Sequence, residues 1–90
     1  MSRQNSPQAA AAARRFGRGV AERRRQLGFT QEGTAERAGL HRTEVALIEK
    51  GDRLPRLDTI VKLGGALGVE PCELLAGMAW KLEEPKEGSK

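Results

Sequence analysis

Aromatic side chains are almost missing from these 90 residues: Phe16, Phe29 and Trp80 are the full set, with no tyrosine. Aliphatic residues must therefore build the core. At this length the core is small, because only about 60–65% of the unfolded surface is buried on folding. One cysteine, Cys72, excludes an internal disulfide, and one histidine, His41, is too few to complete a zinc site with it. No apolar run approaches the roughly 20 residues of a membrane span. No apolar stretch near the N-terminus precedes a cleavage site, which argues against secretion. A cytoplasmic chain without metal, cofactor or membrane contact is the expectation. Strand signals are missing too, since β-branched and polar residues nowhere alternate at length.

Against these absences stand 38% apolar and 31% charged residues, the balance of a folded single domain. The net charge of +4 is unevenly placed. Residues 1–30 carry seven Arg against one Glu, whereas residues 31–60 and 61–90 each carry one more acidic than basic group. Such asymmetry suits a polyanion binder, although arginines also line ordinary solvated helix faces.

Helical signals recur in pieces of two to four turns. Residues 1–13 read as a flexible arm, with the alternative that its Ala-rich end lengthens the first helix. That helix, from about Ala9 to Leu27, places Phe16, Val20, Arg24 and Leu27 at helical spacing, is weakened by Gly17 and Gly19, and stops at Gly28. Thr30 offers an N-cap for a helix over residues 31–38, and Gly39 breaks it. A third helix spans residues 42–50, with Val45 and Ile48 inward, and a loop follows over residues 51–55. The fourth, residues 57–67, aligns Leu57, Ile60, Leu63 and Leu67, and its Gly64 and Gly65 each cost about 1 kcal/mol against Ala. The fifth starts at Pro71, with Val69 and Leu74 at hydrophobic-staple spacing. The expectation is an all-α, five-helix domain over residues 14–80, with a polar tail at 81–90.

Residues 31–50, QEGTAERAGLHRTEVALIEK, have the geometry of a steep helix crossing. Ala35 is small where two helices must meet, and Gly39 tolerates a positive φ at the turn. Leu40 points inward, and Val45 and Ile48 anchor the second helix while its outer face stays free. Those are the requirements of a helix-turn-helix. Residues 16–76 resemble the Cro/phage-repressor (XRE) family, through AERRRQLGFTQEGTAERAGLHRTEVALIEKG and then PRLDTIVKLGGALGVEPCELL. The likeness runs over roughly two-thirds of the chain. It implies a compact five-helix, lambda-repressor-like domain that binds double-stranded DNA, usually as a homodimer on a palindromic operator, and a place at the nucleoid.

Carried onto this chain, the resemblance makes Arg42 the first base-contacting residue, its guanidinium fork matching guanine O6 and N7. Thr43, Ala46 and Leu47 share the reading face, Leu47 as an exposed leucine suited to a thymine methyl. Thr30, Gln31, His41, Lys50, Arg53 and Arg56 are phosphate candidates, with capping the alternative role for Thr30 and His41. Arg24 and Glu49 match a family ion pair that fixes the recognition helix. Leu75, Met78, Ala79 and Trp80 exceed what the core requires and mark the dimer seam, unless Trp80 folds back over the core. Cys72 reads as a small buried core residue rather than a redox switch.

The chain departs from the family pattern in places. Thr34 replaces a leucine after Gly33, Glu44 puts a carboxylate beside the reading face, and Gly64 and Gly65 replace helix formers. Two readings of function remain: a DNA-binding transcription regulator, too short to carry a ligand-sensing domain as well, or a protein-interaction module of the same fold, an antitoxin or adaptor with a protein partner. An enzyme is not expected, because no nucleophile, carboxylate pair or phosphate loop is placed for catalysis.

Overall fold

α1 (Pro7–Gln26) starts earlier than its large apolar residues announce, in the computed structural model, which describes residues 6–82. Ser6 caps it, its hydroxyl accepting from Ala9 N–H at 3.3 Å, and Pro7 fills the first position, where a missing N–H costs nothing. Ala9 and Ala13 are buried with Phe16, Val20 and Ala21, so the Ala-rich run belongs to the helix. Residues 1–5, with Arg3, and residues 83–90 of the polar tail lie outside the described residues. Leu27, aligned with the inner face by spacing, instead ends α1 as an exposed residue.

α2 (Gln31–Ala38), α3 (Arg42–Lys50), α4 (Leu57–Leu67) and the single turn α5 (Pro71–Leu74) complete the described residues, among which there is no strand. The fold is all-α with five helices. α1 packs chiefly on α3, α2 bridges α3 and α4, and α5 closes the bundle against α4. Phe16, Val20, Ala38, Ile48, Leu63, Leu67 and Leu74 form one buried cluster, with Phe29, Leu40, Ile60, Val69 and Met78 packed round it. Each of its large side chains contributes about 1.5–3 kcal/mol by leaving water. No described helix is long and apolar enough to cross a membrane.

Two glycines mark close approaches that spacing alone does not reveal. A Cβ on Gly17 would run into the backbone carbonyls of Ile48 and Glu49, so α1 and α3 touch backbone to backbone there. On Gly64 it would stand 2.9 Å from the Val69 carbonyl and 3.2 Å from the Pro71 ring, where the chain folds from α4 into α5. Gly65 next to it faces open space.

Two sequence expectations need correction. Leu57, placed on the inner stripe of α4, is 78% exposed. It stands six residues before Leu63, about 120° round the helix, off the face that Thr59, Leu63 and Leu67 bury. Cys72 is exposed rather than buried, because a one-turn helix has one inward direction and Leu74 takes it.

Candidate nucleic-acid interface

The turn between α2 and α3 is made by Gly39, at φ +71°, a conformation that side chains with a Cβ disfavour. Leu40 N–H then reaches back to the Ala35 carbonyl at 2.8 Å, closing the end of α2. Ala35 and Ala38 are buried at this crossing, small enough for α3 to sit against α2. α3 starts after His41, which occupies the cap position but makes no side-chain capping bond; its imidazole is exposed. Capping is therefore not its role in this structure.

Val45 and Ile48 are fully buried and fix the rotation of α3. Thr43, Ala46, Leu47 and Lys50, spaced i, i+3, i+4 and i+7, then occupy the opposite face. Arg42 and Thr43 are exposed, and Ala46 and Leu47 half-buried, so the leucine is less open than the sequence led us to expect. Glu44 is half-buried on the flank of this face.

The inner edge of α3 is held by an ionic junction. Arg24 Nε donates to Glu49 Oε2 at 2.7 Å and its Nη2 to Oε1 at 3.1 Å, a two-pronged fork, while Nη1 donates to the Phe29 carbonyl at 2.8 Å. Gln31 Nε2 adds a donor to Glu49 Oε1 at 2.9 Å. One carboxylate thus ties α1, the start of α2 and the end of α3 together. The side chains are 14% and 6% exposed, so little water competes. The Arg24 guanidinium is held above its ordinary pKa, mainly by the Glu49 hydrogen bond and further by its charge, against the opposing effect of burial. It stays charged at any working pH.

Gln31, a phosphate candidate, therefore has its side-chain amide committed to Glu49, a partnership that spacing gave no way to see. Thr30 caps α2, its hydroxyl accepting from Gly33 N–H at 2.9 Å. The cations after α3 are exposed and loosely paired: Lys50 lies 3.7 Å from Asp52, and Arg56 3.3 Å from Asp58. Arg53 is exposed beside them. Thr34 is fully buried, and its hydroxyl has no hydrogen-bond partner among the described residues. Among the expected seam residues Leu75, Ala79 and Trp80 are exposed, Trp80 to 55%, whereas Met78 packs half-buried on the core. Among the described residues no group of His, Cys, Asp and Glu could hold a metal ion.

Residues 20–74 match the helix-turn-helix family model. The chain is 43% identical over 61 residues to control protein C.BamHI of Bacillus amyloliquefaciens, spanning 67% of this chain and 75% of that protein. An HTH-type transcriptional regulator of Methanothermobacter thermautotrophicus is 41% identical over 54 residues, 60% of this chain and 78% of its own. Among solved structures, the restriction-modification controller protein C.AhdI from Aeromonas hydrophila superposes with a TM-score of 0.70 at 41% identity, covering 71% of this chain and 97% of that one. The hypothetical transcription factor NHTF from Neisseria gives 0.68 at 28% identity, covering 87% and 82%. By name these are regulators and controllers, not enzymes.

Proposed function

The chain belongs to the helix-turn-helix family of DNA-binding transcriptional regulators, of the Cro/phage-repressor type, and from that premise we propose that it works as a homodimer on a palindromic operator, each protomer laying α3 in the major groove of one half-site. The observation that carries this reading is the rigid seating of α3. Val45, Ile48 and the Glu49 junction hold one side, and the other is left to Arg42, Thr43, Ala46 and Leu47.

In this reading Arg42, at the entering end, donates a two-pronged pair of hydrogen bonds to guanine. Thr43, Ala46 and Leu47 meet thymine methyls or neighbouring base edges. Phosphates on one side are held by Thr30, Gln31 and His41, and on the other by Lys50, Arg53 and Arg56. Since the Gln31 amide serves Glu49, the phosphate there is met by backbone N–H groups in the first turn of α2, where the helix dipole favours an anion. Two relatives are named as control or controller proteins, one of them of restriction-modification; by that likeness the regulated genes are those of a restriction-modification system. The protein then works at the nucleoid, in the cytoplasm.

Selection of bound duplexes from a random pool at physiological salt tests the reading. Enrichment of a palindrome with half-sites about one helical turn (~34 Å) apart is expected. Salt-sensitive binding without enrichment would refute it and favour a protein ligand for the same fold. The dimer seam runs through Leu75, Ala79 and Trp80. Trp80→Ala should weaken self-association at least about tenfold in sedimentation, as central aromatic anchors do. An unchanged profile moves the seam to the exposed Leu57 and Val61 of α4.

A further inference from the structure

α1 begins at Pro7, whereas the family match begins at residue 20, so more than three helical turns stand ahead of the matched domain. Those turns are built in rather than loosely attached. Ala9, Ala13 and Phe16 are buried along them. Gln8 exchanges two hydrogen bonds with the backbone of Lys81, at 2.9 and 2.7 Å, and Arg15 Nη2 donates to the Ala76 carbonyl at 3.1 Å.

The direction of this extension is set by its contacts with α3. Gly17 lies against the carbonyls of Ile48 and Glu49, and one turn earlier the stem of Arg14 lies against the backbone of Gly51. The extension therefore passes the C-terminal end of α3 and brings Arg14 beside the loop that carries Lys50 and Arg53. Its basic residues are Arg14, Arg15 and Arg18, with no acid among residues 7–19. Arg15 is committed to Ala76. Arg14 and Arg18, four residues apart on one exposed stripe, make no side-chain hydrogen bond or ion pair with the described residues. Arg14 stands next to the loop of exposed cations, and Arg18 continues its stripe one turn on, beside the groove between α1 and α5; with no partner for either guanidinium among the described residues, the stripe complements a polyanion.

We propose that this extension of α1 grips the DNA backbone outside the half-site read by α3, with Arg14 and Arg18 each neutralising a flanking phosphate. Because the helix is fixed to the domain, little ordering entropy opposes these contacts, in contrast to a disordered basic arm. They add affinity at every sequence and leave base preference to α3. The proposal rests on the DNA-binding reading above.

The test is the salt dependence of duplex binding by the full chain. Each phosphate contact contributes a slope of about −0.9 to log K against log[salt] on B-DNA. Arg14→Gln/Arg18→Gln keeps both aliphatic stems, so Gly51 keeps its cover, and removes both charges. The slope should become shallower by about 1.8 per bound protomer, equally on operator and on unrelated duplex. Arg15→Gln, whose parent side chain serves the Ala76 carbonyl, should leave the slope unchanged. If the parent chain binds steeply and the double variant changes the slope by less than about 0.5, the extension is not a backbone grip. If the parent chain shows no salt-dependent duplex binding, the failure belongs to the DNA-binding reading itself.

Discussion

Removing Arg24 should be among the most damaging single changes outside the apolar core. Arg24→Ala deletes two hydrogen bonds to Glu49, at 2.7 and 3.1 Å, and a third to the Phe29 carbonyl at 2.8 Å. It leaves a carboxylate that is 6% exposed, with Gln31 as its remaining side-chain donor. Breaking a buried ion pair costs about 3–5 kcal/mol, because the orphaned charge cannot regain its water. Arg24 itself is 14% exposed, which places the expected loss at the lower end, about 3 kcal/mol. In a domain of this size that lowers Tm by about 12–24 °C. Urea and thermal unfolding followed by far-UV circular dichroism measure it directly. The raised pKa of Arg24 fixes the pH profile: the stability it brings is complete below its ordinary value and is lost only as pH rises beyond it, in strong alkali. The deficit of the variant should thus be the same at pH 7 and pH 9. Arg24→Met/Glu49→Leu, which removes both charges, should recover more than half of the loss. A cost below about 1 kcal/mol for Arg24→Ala would show that the junction behaves as a solvated surface bridge, and the reasoning would fail.

Three further outcomes are expected. Gly65→Ala fills open space in a helix interior and should stabilise by about 0.5–1 kcal/mol, whereas Gly64→Ala meets the Val69 carbonyl and should destabilise by about 1–3 kcal/mol; equal effects in urea titration would contradict the close approach. Thr34→Val keeps the shape of a fully buried side chain and deletes a hydroxyl without a partner, so it should raise stability by about 1 kcal/mol, and a loss would mean that the hydroxyl is bonded in solution. Arg42→Ala should cost about 1–3 kcal/mol on the selected operator and relax preference at one base pair, while uniform weakening across sequences would make Arg42 a phosphate contact.

How much of this was legible in the sequence varies by element, for physical reasons. The start of α2 and the ends of α2 and α3 follow from their punctuation, because Thr30, Gly39 and Gly51 cap or terminate helices by local chemistry that needs no tertiary partner. The start of α1 reads as part of a flexible arm, although Ser6 and Pro7 are its cap and first residue, because the alanines after them show no apolar period. The segment at Ala76 and Lys81, far along the chain, is hydrogen-bonded to Arg15 and Gln8 on those same turns. Gly64 and Gly65 are identical in sequence and opposite in role, since one faces a backbone and the other faces solvent. Leu57 fits an inner stripe by spacing and misses it because it lies about 120° round α4 from Leu63, while Thr59 in the same turn is buried.

The candidate site divides along the same line. The outer face of α3 was readable, because burying Val45 and Ile48 fixes which residues remain outside, and that is a matter of helical period alone. The junction beneath it was named only through family likeness, and its third member, Gln31, was placed among the phosphate contacts. Hydrogen bonds between side chains 18 and 25 residues apart depend on how α1, α2 and α3 cross, which periodicity does not encode. The crossing itself rests on Gly17, where any side chain would push α1 away from α3. Gly17 therefore belongs with Arg24 and Glu49 as a determinant of where the reading face stands, although it has no side chain and touches no DNA in the reading proposed.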